Sequence, residues 1–266
     1  MSPLDGLPDR YRLILCDIWG VVHDGVELYP GSAERLLQWK DEGRIVILIT
    51  NAPRTAEAVE AQLVRIGLPR ATYDGIATSG EAGIAALLDL AEPVGFIGTE
   101  ADRSNLQGRG VPMVEDGFKH LACTGLDDTR RAVADYSRQL ESLERGGVVL
   151  HCLNPDRIVL RGTVPEPCAG ALADMYESLG GTVIWYGKPH ETIYRHALKL
   201  GGDPPPSAVL AIGDSLQTDI LGAARMGFDA IFITGGIHGG EPFPPDFGAE
   251  NGLGAWLPVA VVDSLG

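Results

Sequence analysis

Short apolar runs alternate along the first 90 residues with segments whose apolar residues recur at helical spacing. Continuous apolar runs are typical of buried parallel strands, and helical spacing is typical of amphipathic helices. The alternation therefore predicts a parallel sheet with helices on both faces. The predicted strands lie at 12–17, 44–50 and 76–80, and the predicted helices at 31–41, 55–66 and 81–90.

The last third of the chain repeats this pattern. A stretch rich in Gly and Pro, at 235–258, interrupts it and predicts an irregular loop. The predicted strands lie at 182–186, 209–212, 230–234 and, at an edge, 259–262, and the predicted helices at 191–200 and 219–226.

A second alternating block lies between residues 91 and 181. The simplest organisation is an α/β protein in which a core domain with a Rossmann-like parallel sheet is interrupted by a smaller inserted α/β domain. One large continuous sheet is the alternative that the pattern leaves open. Within this block the strands are predicted at 94–98, 120–124, 148–152 and 157–160, and the helices at 128–143 and 169–179.

Polar side chains stand at the carboxyl ends of three predicted strands. They are Asp17, Thr50 and Asp214. In open parallel sheets, ligands bind in the crevice beyond these ends, so the three groups are expected to meet. Asp17 has three readings from the residues alone: a nucleophile on phosphorus, a metal ligand, or a cap on the turn after its strand.

Three further residues extend this candidate site. Asp219, with Asp214, offers the oxygen ligands that Mg²⁺ prefers, although Gly-Asp also marks ordinary turns. Asn51 follows Thr50 and can donate to phosphate oxygens or cap a helix. Lys188 can neutralise a carboxylate and a phosphate together, or be a solvated surface charge. The order of all these residues, each at a strand end, predicts a phosphate-handling site.

Charge narrows the range of partners. The 266 residues carry a formal net charge of −15, and the pI is near 4.7. Nucleic acid and anionic membrane surfaces need basic patches, so neither is expected as a partner. An anionic substrate must then be met by a local positive site, such as a metal ion.

The four cysteines show no CxxC or CxxH spacing, so no zinc site is expected. They are interpreted as free thiols in a reducing compartment. Residues 1–12 are polar, and the chain has no apolar run of the ~18 residues that a membrane span needs. A cytoplasmic location is therefore predicted.

Four segments carry a family resemblance: 16–21 (CDIWGV), 49–51 (ITN), 187–189 (GKP) and 213–219 (GDSLQTD). These four segments, and their order along the chain, resemble the conserved motifs of the haloacid dehalogenase (HAD) superfamily phosphatases. The Thr-Ser-Gly-Glu step at 78–81 and the Asn-Pro-Asp at 154–156 resemble its class IIA, the NagD- and p-nitrophenylphosphatase-like branch with a large α/β cap.

The resemblance implies a role for each matching position. Asp17 would be the nucleophile, Lys188 would stabilise it, and Mg²⁺ would be the cofactor, held in part by the backbone carbonyl of Trp19. The implied catalytic residues are Asp17 and Lys188; the phosphate-binding residues are Thr50, Asn51 and Lys188; the metal ligands are Asp17, Trp19, Asp214 and Asp219.

The same resemblance implies two domains, a core at 1–80 and 187–266 and a cap at 81–186. The cap would limit entry to a small phosphorylated metabolite, such as a sugar phosphate or a nucleotide, and exclude water when it closes. It also implies a homodimer formed through the cap. The substrate contacts would come from Asn154, Asp156 and Arg157.

Trp19 departs from the family pattern, which places a second Asp two residues after the nucleophile. An indole has no group that titrates near neutral pH, so it cannot exchange a proton with the leaving oxygen or with water. General acid–base catalysis contributes ~10²–10⁴-fold, and its loss predicts slow hydrolysis of alkyl phosphates. His23, Asp24 and Asp156 are the candidate substitutes.

Three functions therefore remain open from the sequence. The first is a Mg²⁺-dependent phosphohydrolase that works through an aspartyl-phosphate. The second is a phosphometabolite-binding or regulatory protein with little turnover, for which Trp19 is the evidence. The third is a phosphotransferase on the same scaffold.

Overall fold

A computed structural model describes residues 2–161, 164–236 and 242–266. The chain divides into two compact units. The core unit contains the residues up to Thr50, Ala56–Ala77 and Lys188–Gly266. The inserted unit contains Asn51–Thr55 and Thr78–Gly187.

Strands and helices alternate through most of the described residues. The strands are β1 Leu13–Asp17, β2 Ile45–Thr50, β3 Gly75–Thr78, β4 Gly95–Ile97, β5 His120–Cys123, β6 Val149–Cys152, β7 Ile158–Arg161, β8 Val164–Pro167, β9 Thr182–Trp185, β10 Val209–Gly213, β11 Asp229–Ile233 and β12 Ala260–Val262. The α-helices are α1 Ser32–Asp41, α2 Ala56–Ile66, α3 Ser79–Asp89, α4 Glu100–Gly108, α5 Ser137–Arg145, α6 Ala169–Ser178, α7 Glu191–Leu200, α8 Leu221–Arg225 and α9 Phe247–Glu250.

A sheet of six strands forms the core unit within the described residues, in the order β12-β11-β10-β1-β2-β3. The two central strands are completely buried: every residue of β1 and of β10 is shielded from solvent. In the parallel register of β1 with β10, Leu13 lies opposite Val209, and Cys16 lies opposite Ile212. The strands beside β1 are β2 and β10, so their carboxyl ends open at the same edge of the sheet.

The inserted unit has its own parallel sheet, in the order β4-β5-β6-β9. Leu121, Leu150 and Tyr176 belong to the apolar cluster on one face, and Ala122 and Leu87 to the cluster on the other. A separate antiparallel pair is formed by β7 and β8. Burial on both faces explains why β5 and β6 are short apolar runs rather than alternating ones.

The predicted fold class, an α/β protein with a Rossmann-like parallel sheet and a smaller inserted α/β unit, is confirmed. The predicted helix at 128–143 is wrong over its first part. Asp127 accepts hydrogen bonds from the amides of Thr129 and Arg130 at 2.8 Å each, which hold a turn there. A 3₁₀ turn at Val133–Tyr136 follows, and the α-helix begins only at Ser137.

Two further corrections concern the 219–226 helix and the 235–258 loop. The helical segment begins with a π-helical turn at Leu216–Ile220, and regular α-helix begins only at Leu221. Within the described part of 235–258, Phe247–Glu250 forms a short helix in which Phe247 is buried.

Asn51–Thr55 belongs to the inserted unit, although the sequence assigned these residues to the core domain. The side-chain amide of Asn51 donates to Asp156 Oδ1 at 2.7 Å. Thr78 Oγ1 donates to the carbonyl of Arg54 at 2.7 Å and caps α3 by accepting from the Glu81 amide. These bonds join the segment to elements that come later in the chain.

The helices in the described part of the chain are too short or too polar to span a membrane.

Candidate active site

Asp17 ends the buried strand β1 and is itself only 6% exposed. The ammonium group of Lys188 lies 2.5 Å from Asp17 Oδ1 and 2.6 Å from Asp219 Oδ1. Lys188 is the first residue of the C-terminal part of the core unit and is 3% exposed. The predicted catalytic residues Asp17 and Lys188 are therefore in direct contact, away from solvent.

The two remaining carboxylates come from the segment after β10. Asp214 directly follows the strand, and the π-helical turn brings Asp219 back toward it. Asp219 Oδ2 accepts a hydrogen bond from the amide of Ser215 at 3.3 Å. One carboxylate oxygen from each of Asp17, Asp214 and Asp219 lies within 4.8 Å of the others.

Burial sets the electrostatics of this cluster. Burial, followed by the charge of Asp219, raises the pKa of Asp17 well above its usual value. Burial alone would lower the pKa of Lys188, but the charges of Asp17 and Asp219 outweigh it and raise that pKa above the ordinary value for lysine. The two carboxylates therefore stabilise the charged form of Lys188.

The donor set fits a hard divalent cation. Three buried carboxylates outnumber the one ammonium group among them, and their oxygens converge. Burying negative charge is unfavourable unless a cation compensates it. Mg²⁺ prefers oxygen ligands and binds through a few carboxylates while it keeps some of its waters. Asp17, Asp214 and Asp219 are thus suited to holding Mg²⁺.

Gly20 allows the loop after β1 to approach Asp214. Its φ of +89° lies in the left-handed region that favours glycine. A Cβ atom at Gly20 would lie 2.1 Å from Asp214 Oδ2, well inside contact distance. The backbone of the loop therefore packs directly against a predicted metal ligand.

Trp19 lies within the same loop and packs on neighbouring residues of the core unit. A Cβ atom at Gly25 would lie 2.9 Å from the indole. The His23 ring meets the indole edge-on, with 5.7 Å between the ring centroids. His23 is 2% exposed, and its Nδ1 accepts a hydrogen bond from the amide of Gly25 at 2.8 Å. The indole is thus held in place by the short turn that follows it.

Asp24, one candidate substitute for the missing acid, is an exposed turn residue. Its Oδ1 accepts hydrogen bonds from the amides of Val26 at 2.8 Å and Glu27 at 2.9 Å. The bond from Glu27, followed by that from Val26, lowers the pKa of Asp24. A carboxylate stabilised in its ionised form is a poor proton donor.

Two of the predicted phosphate-binding residues, Thr50 and Asn51, are adjacent in the chain but belong to different units. Thr50 is the last residue of β2 and is half-buried. Asn51 begins the segment that belongs to the inserted unit, and its side-chain amide is bonded to Asp156. The backbone amide of Asn51 is therefore the group that matches its predicted role.

The predicted substrate residues of the inserted unit form one loop. Asn154 Oδ1 accepts from the amide of Asp156 at 3.2 Å. Arg157 makes two hydrogen bonds to the carboxylate of Asp174, at 3.0 and 2.9 Å, and stacks on Trp185. Asp156 is thus linked to Asn51, whereas Arg157 is paired on the surface.

Sequence reasoning missed Gly20 and Ser215, which shape the carboxylate cluster through their backbones. The only signal for Gly20 was a glycine three residues after a strand-ending Asp. Ser215 acts through an amide that any residue except proline supplies. Neither role produces a distinctive residue type.

Comparisons with known proteins identify the family of this chain. A family model described as haloacid dehalogenase-like hydrolase matches residues 14–112, and a second one, described as HAD-hydrolase-like, matches 185–265. A hydrolase of the haloacid dehalogenase-like family from Brucella suis 1330, known as a crystal structure, is 34% identical. The match covers 100% of both chains, with a TM-score of 0.85.

Two curated relatives carry named activities. Ribonucleotide monophosphatase NagD from Escherichia coli K12 is 28% identical over 229 residues, which are 84% of this chain and 88% of NagD. The 5′-nucleotidase YutF from Bacillus subtilis 168 is 24% identical over 257 residues, which are 93% of this chain and 98% of YutF.

The chain belongs to the haloacid dehalogenase-like hydrolases. The predicted family branch is confirmed, and so is the predicted enzyme class, a phosphatase of this family.

Proposed function

We propose that this protein is a Mg²⁺-dependent phosphohydrolase of small phosphorylated metabolites, sugar phosphates or nucleotides, working through an aspartyl-phosphate on Asp17. One observation carries the proposal: a buried carboxylate at the end of a central strand is in contact with a buried lysine and lies beside two further carboxylates. Charge of this kind, held rigidly away from water, suits the stabilisation of a transferring phosphoryl group.

Asp17 supplies the nucleophile. Its carboxylate oxygen attacks phosphorus, and the bond from phosphorus to the leaving oxygen breaks. Lys188 keeps its proton, so its charge opposes the rise in the pKa of Asp17 and compensates negative charge as the phosphoryl group transfers. Thr50 and the backbone amide of Asn51 donate hydrogen bonds to the phosphoryl oxygens. Water then attacks phosphorus, the bond from phosphorus to the Asp17 oxygen breaks, and inorganic phosphate leaves while the water proton passes to it or to solvent. The Asp17 carboxylate is thereby restored.

Asp17, Asp214, Asp219 and the backbone carbonyl of Trp19 would hold the metal. When bound, Mg²⁺ supplies positive charge that neutralises the phosphoryl oxygens. Asp219 is oriented by the amide of Ser215, and the position of Asp214 depends on its contact with the backbone of Gly20.

The substrate class is supported by the relatives, because NagD is named a ribonucleotide monophosphatase and YutF a 5′-nucleotidase. Within the inserted unit, the loop of Asn154, Asp156 and Arg157 offers amide, carboxylate and guanidinium groups. We assign substrate recognition to this loop.

A second candidate function is a phosphometabolite-binding protein with little turnover. Trp19 favours it, because the family that this chain resembles places an Asp two residues after the nucleophile, and an indole cannot exchange a proton near neutral pH. The two functions differ in one measurable property: a hydrolase releases phosphate repeatedly, whereas the binding protein is stabilised by its ligand without releasing phosphate.

The test is phosphate release from a panel of sugar phosphates, nucleotides and p-nitrophenyl phosphate, with Mg²⁺ or with EDTA. We expect release that requires Mg²⁺ and falls to background in Asp17→Asn. Asp41→Asn is the matched control, since it removes an exposed carboxylate at the end of α1 and should retain full activity.

Thermal unfolding gives a second measurement that does not depend on turnover. Mg²⁺ should raise the melting temperature of the wild type and of Asp41→Asn, but far less that of Asp214→Asn, because a cation that binds only the folded state stabilises it. If the wild type releases no phosphate from any substrate but its melting temperature rises when the phosphorylated compounds are added, the binding protein is favoured.

A further inference from the structure

The turn that carries Asp219 is wider than an α-helical turn. The amide of Ile220 reaches the carbonyl of Ser215, five residues earlier, at 3.1 Å, whereas an α-helix joins residues that are four apart. Regular α-helix begins only at Leu221. Turns of this π type are rare, and they occur frequently at functional sites. Contacts from neighbouring elements must therefore favour this turn over regular α-helix.

The direction of the Asp219 side chain depends on this turn. Successive side chains of an α-helix differ in direction by ~100°, so a turn closed with an additional residue presents its side chains differently. Asp219 Oδ1 lies 2.6 Å from the ammonium group of Lys188, and Oδ2 accepts from the amide of Ser215 at 3.3 Å. A Cβ atom at Gly213 would lie 2.2 Å from Asp219 Cγ, so the carboxyl group packs against the backbone at the end of β10.

Tyr194, in α7, contacts the backbone of the same turn. Its hydroxyl lies 3.3 Å from the carbonyl oxygen of Thr218 and 3.3 Å from that of Asp219, so one proton is shared between two acceptors. Three-centre bonds of this kind are common at helix termini. Both distances are longer than the about 2.7–2.8 Å of a bond to one acceptor, because the proton is shared. The hydroxyl thus joins α7 to the turn on which Asp219 stands.

The Tyr194 ring is held in this position by close packing. Tyr194 is 1% exposed, and its ring meets the Phe228 ring edge-on, with 6.0 Å between the centroids. A Cβ atom at Gly222, in α8, would lie 2.2 Å from the Tyr194 hydroxyl oxygen and 2.5 Å from its ring. Tyr194 therefore packs directly on the backbone of the helix that follows the turn.

We infer that Tyr194 is a positioning residue for the carboxylate of Asp219. Its hydroxyl and ring hold the π-helical turn and the start of α8 in the conformation that directs Asp219 toward Lys188. Lys188 in turn contacts the nucleophile Asp17. The inference rests on the proposed hydrolysis, in which Asp219 helps to hold Mg²⁺. It adds to that site a residue that lies outside the four sequence segments of the family resemblance.

Tyr194→Phe tests the hydroxyl, because it removes the shared hydrogen bond and keeps the buried ring. Loss of a residue that orients a metal ligand typically weakens metal affinity or activity ~10–100-fold. We expect a rise of this size in the dissociation constant for Mg²⁺, obtained without substrate from the increase of the melting temperature with Mg²⁺ concentration. The KM for p-nitrophenyl phosphate at saturating Mg²⁺ should stay close to the wild-type value.

Tyr176→Phe is the matched control. Tyr176 is also buried, and its hydroxyl donates to the carbonyl of Val148 at 2.5 Å, but it belongs to the inserted unit. This variant should lose stability in EDTA, as Tyr194→Phe does, and keep the wild-type dissociation constant for Mg²⁺. If Tyr194 contributed only to packing, both variants would lose stability and neither would bind Mg²⁺ more weakly.

Gly222→Ala perturbs Tyr194 from the other side of the contact. Alanine is ordinarily more favourable than glycine inside a helix, so a loss in this variant is attributed to the contact of its methyl group with Tyr194. We expect weaker Mg²⁺ binding than in the wild type. If Tyr194→Phe does not fold, Gly222→Ala decides, and an unchanged dissociation constant contradicts the inference.

The outcomes separate this inference from the function on which it rests. If the wild type hydrolyses phosphate esters with Mg²⁺ and Tyr194→Phe keeps the wild-type dissociation constant for Mg²⁺, the inference is wrong while the phosphatase stands. A wild type whose activity and melting temperature do not respond to Mg²⁺ overturns the proposed function and this inference together.

Discussion

Gly20 and Asp214 are packed so closely that no side chain fits between them: a Cβ atom on Gly20 would lie 2.1 Å from Asp214 Oδ2. The contact joins the loop after β1 to the residue that follows β10. The contact therefore fixes the distance between the backbone at Gly20, next to Trp19, and the carboxylate of Asp214. The importance of this contact for activity can be tested by adding a single methyl group at position 20.

Gly20→Ala should abolish most of the activity while the protein still folds. The methyl group would displace the Asp214 carboxylate, and a misplacement of ~1 Å at a catalytic site can reduce the rate ~10²-fold. The left-handed φ of +89° adds a cost of ~1–2 kcal/mol in stability. Steady-state kinetics with Mg²⁺, together with urea unfolding, measure the two effects.

Gly202→Ala is the matched control for this substitution. Gly202 has a φ of +80°, but a Cβ atom there would meet nothing within 4 Å. It should lose similar stability and retain activity. Equal kinetic losses in both variants would mean that backbone strain, rather than contact with Asp214, explains the effect.

Lys188→Met should destabilise the protein strongly when EDTA is present. Lys188 is in contact with the carboxylates of Asp17 and Asp219, and breaking a buried ion pair by removing one partner costs ~3–5 kcal/mol. Urea unfolding in EDTA measures the loss. Lys40→Met is the control, because Lys40 pairs with Asp74 at a more exposed site, where ~0–1 kcal/mol is expected. Similar losses in both variants would contradict the buried pairing.

Asp156→Ala should loosen the segment that begins at Asn51. The side-chain amide of Asn51 donates a hydrogen bond of 2.7 Å to Asp156, and a hydrogen bond to a charged group contributes ~1.5–3 kcal/mol. We expect a stability loss of this order and a higher KM for phosphate substrates, since Asn51 is predicted to bind the phosphoryl group.

Asp174→Ala gives the comparison for that substitution within the same unit. It removes the exposed partner of Arg157, so it should cost ~1 kcal/mol or less. A KM that rises as much in Asp174→Ala as in Asp156→Ala would argue against a specific role for the bond to Asn51.

Acid should weaken the inserted unit through His151. Burial, followed by the charge of His120, lowers the pKa of His151 to about 4. Its Nδ1 lies 2.7 Å from the Tyr186 hydroxyl, and its Nε2 lies 2.9 Å from His120 Nδ1. The unfolded chain binds the proton more tightly, so this contribution is full above about pH 6.5 and is lost as the pH falls toward about 4.

Urea unfolding of the wild type and of His151→Gln between pH 4 and 7 tests this linkage. In that window the wild type should lose up to about 1.4 kcal/mol more per pH unit than the variant. Parallel pH profiles would mean that His151 does not titrate differently in the folded and unfolded states.

The buried strands could be predicted from sequence because they form continuous apolar runs. The predicted strands at 12–17, 44–50 and 209–212 each coincide with an observed strand to within one residue at either end. Helix α4 escaped prediction because Leu106 is its one buried residue, so no apolar periodicity marks it. The helix was wrongly predicted to begin at residue 128. The Asp127 side chain accepts hydrogen bonds from the amides of Thr129 and Arg130, and these bonds compete with helix formation.

The sequence could predict those parts of the candidate site that lie at the ends of strands. Asp17 and Asp214 follow neighbouring strands, so their proximity follows from sheet order alone. The contact of Gly20 with Asp214 and the packing of Trp19 on Gly25 depend on loop conformation, which leaves no periodic signal. The chemical roles of the site residues are predictions, and the substitutions described above test them.

The strand order also sets a sequence of events during synthesis. The central strand β1 pairs on one side with β2, but its other neighbour, β10, begins only at Val209. The sheet of the inserted unit uses only strands that precede Lys188, so it can form earlier. Domains generally fold as the ribosome releases them, and pairings between distant segments are slow. The carboxylate cluster is therefore completed only after the sheet of the inserted unit, and a nascent chain that stops before β10 carries Asp17 but neither Asp214 nor Asp219.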